Sequence, residues 1–163
     1  MRTSVSNGVL RGTALAAAVL LLLPTAALTQ DDPGEKAITA RQGFMQVVSW
    51  EAGPLFAMAK GDIAYDAEMA ADNAENLNAI VQYNVGRLFI DGTSKSDRPG
   101  KTRALAALWE DMDGFAAGFE DLQEKIAAVA EEAGKGKDAL TAAVSEAGKA
   151  CGNCHDDFRA EKF

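Results

Sequence analysis

Two cysteines and a histidine stand close together near the C-terminal end of the chain, in the order Cys151-Gly152-Asn153-Cys154-His155. On an α-helix, positions i, i+3 and i+4 fall within a wedge of roughly 100 degrees. Two thiols with this spacing can add to the two vinyl groups of a haem as thioethers, and the imidazole that follows can then reach the iron. The motif therefore predicts one covalently attached haem c per chain, bound by Cys151 and Cys154, with His155 as an axial iron ligand.

Three other interpretations of the two cysteines are possible: a disulfide, a redox pair and a zinc site. A disulfide between Cys151 and Cys154 within one continuous helix would be strained, and it would leave His155 unexplained. A thioredoxin-type redox pair normally opens a helix after a strand, and no strand pattern is visible. A zinc site needs four ligands, whereas the chain offers two Cys and one His before carboxylates must be used. The pattern favours haem attachment.

The first 29 residues have the composition of a secretory signal. Arg2 and Arg11 flank a polar opening, an apolar run covers residues 13–23, and small residues follow Pro24. The apolar run is shorter than the roughly 20 residues that span a membrane. We therefore predict a cleavable signal peptide over 1–29, cut between residues 27 and 30. Residues 30–163 would be a soluble periplasmic domain without a membrane span.

The charge of the mature chain limits its partners. Removal of Arg2 and Arg11 leaves 14 of the 16 basic residues against 24 acidic ones, a net charge near −10. Nucleic acids and anionic lipids both need a basic protein surface, so neither is expected as a partner. An acidic surface is typical of a soluble protein that meets basic patches on redox partner proteins.

Punctuation by glycine and proline divides the mature chain into four segments with helical periodicity. The breaks are residues 60–62, a polar connection over 91–100, and residues 133–136. The first segment, about Glu35 to Ala59, contains Pro54, which predicts a kink. The second runs from about Asp66 to Phe89. Four amphipathic segments with short connections predict an all-α fold, an antiparallel four-helix bundle.

The apolar stripe of each segment identifies the side expected to face the bundle interior. In the first segment, the stripe is Ile38, Met45 and Val48; in the second, Ala70, Asn73, Leu77, Ile80, Asn84 and Leu88; in the third, Leu105, Leu108, Met112, Phe115, Phe119, Leu122, Ile126 and Val129; and in the fourth, Leu140, Val144, Ala147, Cys151, Cys154 and Phe158. Both cysteines therefore belong to an interior stripe.

A sixth iron ligand would have to be something other than histidine, because His155 is the only histidine. Methionine is the usual alternative. Met112 belongs to the third stripe, where core filling is the expected role, and Met58 and Met69 stand near an inter-helix turn, far from the expected haem face. Met45 is distinct because it lies one turn after Arg41.

Arg41 itself lies on the apolar stripe of the first segment. A buried arginine needs a partner. A haem propionate would supply one, as would a carboxylate from another segment. The alternative is that Arg41 snorkels out at the edge of the bundle.

Other residues near the motif admit two roles each. Arg159 has two candidate roles: a cover over the proximal haem edge, or a favourable cation at a helix C-terminus. Four aromatic residues are large enough to wall a haem, although aromatics at stripe spacing are core residues first: Trp109, Phe115, Phe119 and Phe158. Gly114, Gly118 and Gly148 are costly inside helices, and close approach of a flat cofactor would explain one or more of them.

The sequence resembles the class II c-type cytochromes, above all the cytochrome c′ family. Four features over residues 30–163 carry the resemblance: Arg41 to Gln46, Gly92 to Thr102, Leu108-Trp109 with Phe115, and Lys149 to Arg159. Only eight residues follow His155, which excludes the class I cytochromes c, where the haem motif lies near the N-terminus.

The resemblance implies a four-helix bundle with haem between the helices and Arg41 near a propionate. It also implies His155 as proximal ligand, Arg159 beside the proximal edge, and a homodimer. In this family the distal iron position is empty, the iron is five-coordinate and high-spin, and the protein binds NO or CO and exchanges electrons, so no enzyme activity is expected. Met45 would then be a steric lid. In a low-spin sister branch the methionine at that position ligates iron, and the protein is a plain electron carrier.

Overall fold

The computed structural model of the protein describes residues 32–163. The predicted signal peptide and its cleavage site lie outside the described residues. The elements in chain order are α1 (Pro33–Lys60), α2 (Ala67–Val81), a 3₁₀ turn (Val85–Leu88), α3 (Ala107–Glu110), α4 (Met112–Glu132), a 3₁₀ turn (Ala133–Lys135) and α5 (Lys137–Phe158). The prediction of an antiparallel four-helix bundle is confirmed: α1 and α4 each pack against both α2 and α5. None of the helices in this part of the chain is both long and apolar enough to span a bilayer.

Helix α1 begins and ends at residues suited to those positions. The carboxylate of Asp32 accepts a hydrogen bond from the amide of Gly34, and Pro33 occupies the first turn, where no amide donor is needed. Gly61 ends the helix with φ of 85°, a left-handed conformation that glycine adopts without strain. The helix remains one element through Pro54.

The predicted second segment is too long. Helix α2 ends at Val81, and the chain then makes a 3₁₀ turn instead of continuing to Phe89. The buried residues of α2 are Ala70, Ala74, Leu77 and Val81. The predicted stripe was right at Ala70 and Leu77 but wrong at Asn84, which is exposed. Two of these four buried residues are alanines. A stripe drawn mainly through larger side chains therefore identified the buried face only in part.

The predicted third segment is interrupted at Asp111. This residue leaves helical geometry and caps α4, because its carboxylate accepts a hydrogen bond from the amide of Gly114. Leu108 therefore lies in the separate α3. Met112, at the start of α4, is 38% exposed, so its expected role in the core is wrong.

The bundle has two apolar clusters of different character. The first, which we call the aliphatic core, joins small and aliphatic residues of α1, α2, α4 and α5, most of them fully buried, among them Leu55, Met58, Leu77, Val129, Leu140 and Val144. The second, the aromatic cluster, surrounds Val85, Leu108 and Phe115 with side chains that stay partly exposed: Phe44, Leu88, Phe89, Trp109, Phe119, Cys154 and Phe158. The buried stripe of α5 enters the aliphatic core and ends at the aromatic cluster.

Tyr65 links the connection between α1 and α2 to the connection between α4 and α5. Its hydroxyl donates to the carbonyl of Ala133 at 2.8 Å and accepts from the amide of Gly136 at 3.0 Å. Tyr65→Phe removes both hydrogen bonds and should lower the free energy of unfolding by about 1–3 kcal/mol, measured by urea denaturation. The exposed Tyr83→Phe is the control and should change it by less than about 0.5 kcal/mol. Equal losses in the two variants would contradict the role of Tyr65.

Candidate functional site

The cysteines and the histidine lie on the last turns of α5. Cys151, Cys154 and His155 are all half-buried, and the two thiols are not joined to each other. The helix ends at Phe158, and the amide of Arg159 closes it by donating to the carbonyl of His155 at 3.0 Å. The interior position predicted for the cysteines is confirmed in part, since the stripe above them is fully buried and they are not.

The protonation states suit attachment and ligation better than redox exchange. Burial raises the pKa of the Cys151 and Cys154 thiols. A thioredoxin-type nucleophile needs the opposite shift. Burial, and then the positive charges of Arg159 and Arg103, lower the pKa of His155, so its imidazole is neutral at pH 7. Neutral imidazole is the form that binds a metal.

A zinc centre finds no support in the structure. Within residues 32–163, no group of three or more His, Cys, Asp or Glu side chains is arranged to hold a metal ion. A porphyrin brings its own nitrogen ligands for iron, so a single histidine of the chain suffices to ligate the metal of a haem.

The aromatic cluster lies beside Cys154. The ring of Phe115 meets those of Phe89 and Phe158 edge-on, with centroids 4.9 and 6.0 Å apart, and Phe89 also packs on Trp109 at 6.0 Å. The indole of Trp109 donates to the carbonyl of Phe89 at 3.2 Å. These contacts form an apolar wall next to a thiol. All four aromatic residues that the sequence offered for such a wall belong to the cluster: Trp109, Phe115, Phe119 and Phe158.

Arg41 is buried beside this wall. It is 4% exposed, so the alternative that it snorkels out of the bundle is wrong. Its Nη1 donates to the Thr93 hydroxyl at 2.9 Å and to the Leu88 carbonyl at 3.4 Å. Its Nη2 donates to the Thr102 hydroxyl at 2.8 Å and to the Thr93 carbonyl. Among the described residues these acceptors are all neutral, so the carboxylate from another segment that the sequence left open is not one of them.

The Arg41 guanidinium keeps its charge in this setting. Burial lowers the pKa of Arg41 to about 10, which still leaves it protonated at neutral pH. Its Cζ lies 4.9 Å from the ring centroid of Phe89 and 5.8 Å from that of Trp109, close enough for cation–π attraction. A buried cation with neutral partners is therefore part of the aromatic wall.

The connection between α2 and α3, residues 82–106, supplies these acceptors. Further contacts hold it against α1. Arg98 pairs with Asp32, and this hydrogen bond lowers the pKa of Asp32. Gln42 donates to the carbonyl of Lys101 at 2.8 Å. A Cβ at Gly34 would lie 3.0 Å from Nη2 of Arg98 and 3.2 Å from Cγ2 of Thr93, so the close approach depends on glycine.

The same connection also crosses the C-terminal end of α5. The Leu105 amide donates to the Phe158 carbonyl at 2.9 Å, and the Ala160 amide donates to the Arg103 carbonyl at 2.8 Å. Arg159 is exposed at the C-cap, where helix geometry favours a cation. The predicted cover over the proximal haem edge stays a prediction.

The methionines differ in how far their side chains are buried. Met58 is fully buried in the aliphatic core, and Met69 is exposed. Met45 lies one turn after Arg41 and is 37% exposed, although Ile38 and Arg41 on the same side of α1 are buried.

The three helix glycines receive different explanations. A Cβ at Gly114 would collide with the capping carboxylate of Asp111, and one at Gly148 would lie 3.2 Å from the ring of Phe56. Both are therefore explained by the protein itself. A Cβ at Gly118 would meet only Cys154, at 3.8 Å, so Gly118 leaves room beside the thiol.

The residues fit a haem. Two thiols one turn apart on α5, a neutral imidazole, a partly exposed aromatic wall and a glycine beside Cys154 match an apolar disc bound through thioethers. The buried cation matches the acidic edge of that disc. Sequence reasoning missed Thr93, Thr102, Phe89 and Phe44 at this site. The two threonines stand in a polar connection without periodicity. Their stretch, Gly92 to Thr102, carried part of the family resemblance, but the only sign of their role was that a buried Arg41 must find acceptors.

Comparisons with known proteins agree with this site. A family model described as Cytochrome C′ matches residues 36–159. A cytochrome c′ from Cereibacter sphaeroides is 42% identical over 148 residues, which cover 91% of this chain and 97% of that protein. The solved structure of cytochrome c′ from Rhodobacter sphaeroides superposes with a TM-score of 0.77 at 43% identity, covering 79% of this chain and 98% of that one. A ferrous variant of cytochrome c′ from Alcaligenes xylosoxidans with bound NO has a TM-score of 0.68 at 26% identity, covering 79% and 97% of the two chains.

Proposed function

Since the chain belongs to the cytochrome c′ family, whose members bind haem c covalently, we propose that it is a periplasmic haem protein with five-coordinate, high-spin iron that binds NO or CO and exchanges electrons. The haem supplies the redox-active iron and its open coordination position. The observation that carries the proposal is the thiol pair and imidazole of α5 beside the half-open aromatic cluster.

Cys151 and Cys154 attach the haem, and His155 is the axial iron ligand on the proximal side. The two thiols are free and half-buried, and the neutral imidazole needs no deprotonation before it binds iron. The helix fixes the three side chains relative to one another, so attachment and ligation constrain the same ring.

Trp109 and Phe115 wall the haem, and Arg41 faces a propionate. The support for this role is that every hydrogen-bond acceptor of Arg41 within residues 32–163 is neutral. A propionate would neutralise the buried charge. Arg159, whose charge already lowers the pKa of His155, lies beside the proximal edge.

Met45 acts as a steric lid on the distal side and does not ligate the iron. Five-coordinate iron is a property of the family, and NO is bound in the Alcaligenes xylosoxidans relative. Met45 is partly exposed, which leaves its thioether apolar surface that the haem would cover. We propose no enzyme activity, because the only histidine of the chain is committed to iron and no general acid or base is assigned to the distal side.

Two copies of the chain associate through the side of α1 on which Gly43, Val47, Trp50 and Pro54 follow one another at spacings of four, three and four. Val47 and Trp50 are exposed there, and Gly43 and Pro54 are partly buried. Trp50 is 77% exposed, an unusual state for tryptophan. Between Gln42 and Ala59 the only charged residue is Glu51. In a mature chain with a net charge near −10, a stretch of helix with a single charged residue is where a second copy meets least repulsion. The periplasmic setting rests on the predicted signal over residues 1–29.

Covalent attachment is tested by removing either thiol. Cys151→Ala or Cys154→Ala should yield protein whose haem is lost or extracted by acid–acetone, because at most one thioether can form. The wild type and Ser145→Ala, an exposed control on α5, should retain haem in the denatured chain. Release of haem from denatured wild-type protein would refute the proposal.

The role of Met45 is tested by Met45→Ala. Loss of the lid should speed carbon monoxide association by about tenfold or more, a barrier change of at least about 1.4 kcal/mol, while the ferric spectrum stays high-spin. The control is Met112→Ala. Met112 lies on another helix, and its exposed fraction of 38% is nearly that of Met45. A low-spin wild type that becomes high-spin in Met45→Ala would instead make the protein a plain electron carrier with Met45 as sixth ligand.

Association through α1 is tested by Trp50→Glu. Two facing carboxylates and the loss of the indole should convert a dimer to a monomer, measured by sedimentation velocity at fixed concentration and salt. Ile63→Glu changes an exposed apolar residue outside α1 and should leave the dimer intact. A monomeric wild type, or a dimeric Trp50→Glu, would show that this side of α1 is not the interface.

A further inference from the structure

Thr93 and Thr102 are buried polar residues in the connection between α2 and α3. Both are 3% exposed or less. A buried hydroxyl must be hydrogen-bonded, and each of these has the guanidinium of Arg41 as a partner. They come from opposite ends of a ten-residue stretch, and the cation lies between them.

Thr93 holds Arg41 in two ways. Its hydroxyl accepts from Nη1 at 2.9 Å and its carbonyl accepts from Nη2. The same hydroxyl donates to the carbonyl of Ile90 at 2.6 Å, which orients its lone pair toward the guanidinium. Thr93 therefore presents an acceptor whose direction is fixed.

Thr102 holds the other side of the same group. Its hydroxyl accepts from Nη2 of Arg41 at 2.8 Å and from the amide of Ala104 at 3.2 Å. The amide belongs to the stretch that pairs with the end of α5, since Ala104 bridges to Arg159. The orientation of Arg41 is thus tied to the strand-like segment beside the haem-attachment helix.

Hydroxyl acceptors hold a cation without cancelling its charge. A carboxylate in either position would neutralise Arg41, whereas threonine satisfies its N–H groups and leaves the positive charge to act on its surroundings. The planar guanidinium has its donors in a fixed fork, so two acceptors on different sides also set its plane.

We infer that Thr93 and Thr102 are positioning residues that hold the charge of Arg41 against the haem and thereby raise its reduction potential. This inference rests on the proposed role of Arg41 beside the haem. A fixed positive charge offsets the negative charge of the propionate and thereby favours the reduced iron, which carries one positive charge less. When either hydroxyl is lost, the guanidinium can turn away and the potential falls.

The test is a spectroscopic redox titration of the purified holoprotein. Thr93→Val and Thr102→Val, which replace a hydroxyl by a methyl group, should lower the midpoint potential in the same direction as Arg41→Leu and by less. Thr93→Ser and Thr102→Ser, which retain the acceptor, should keep the wild-type potential. Thr39→Val, at an exposed position of α1, is the matched control and should not shift it.

Combination with Arg41→Leu separates positioning from a general structural effect. Thr102→Val should shift the potential in the wild-type background and not in the Arg41→Leu background, because the threonine acts through the arginine. Equal shifts in both backgrounds, or unchanged potentials in both valine variants, would overturn the inference while the proposed role of Arg41 stands. An unchanged potential in Arg41→Leu would overturn both. If Thr93→Val does not assemble, Thr102→Val, which removes only a hydroxyl acceptor, carries the test.

Discussion

The guanidinium of Arg41 joins α1 to the long connection, and the aromatic half of the bundle is organised around it. Burial of an isolated cation costs several kcal/mol. Hydrogen bonds that involve a charged group contribute about 1.5–3 kcal/mol each, and Arg41 makes four, all to the segment from Leu88 to Thr102. This segment therefore cannot leave α1 without exposing several unsatisfied groups at once. Phe89, which packs against the cation, is fixed by the same contacts.

The two apolar clusters have different roles: the aliphatic core stabilises the bundle, and the aromatic cluster forms part of the proposed binding site. The aliphatic core is filled mostly by fully buried residues of α1, α2, α4 and α5. The aromatic cluster contains only three fully buried residues, and the rest keep solvent contact. Apolar surface of this kind is stabilised when a large flat group covers it. One cluster therefore supplies a buried core, and the other supplies apolar surface that a bound group can cover.

The sequence predicts the fold and the attachment motif because both depend on local spacing. The stripe of α5 from Leu140 to Ala147 is buried as its periodicity indicates. Periodicity fails where local polar chemistry intervenes: Asp111 caps a new helix and leaves Met112 exposed, and alanines such as Ala74 carry the buried side of α2. Thr93 and Thr102 belong to the stretch that carried the family resemblance, but their pairing with Arg41 was not predictable, because they are 52 and 61 residues away along the chain and follow no period.

The two halves of the candidate site come from different parts of the chain, and backbone pairing connects them. Helix α5 contributes the thiols and the imidazole, while α1 and the connection contribute the cation and part of the wall. The connection donates to the carbonyl of Phe158 and accepts from the amide of Ala160, only a few residues after His155. It also accepts the hydrogen bonds of Arg41, through Thr93 and through Thr102, which is the neighbour of Arg103. A displacement of the connection would therefore change the surroundings of the imidazole and of the cation together, so the two sides of the proposed haem site share one structural support.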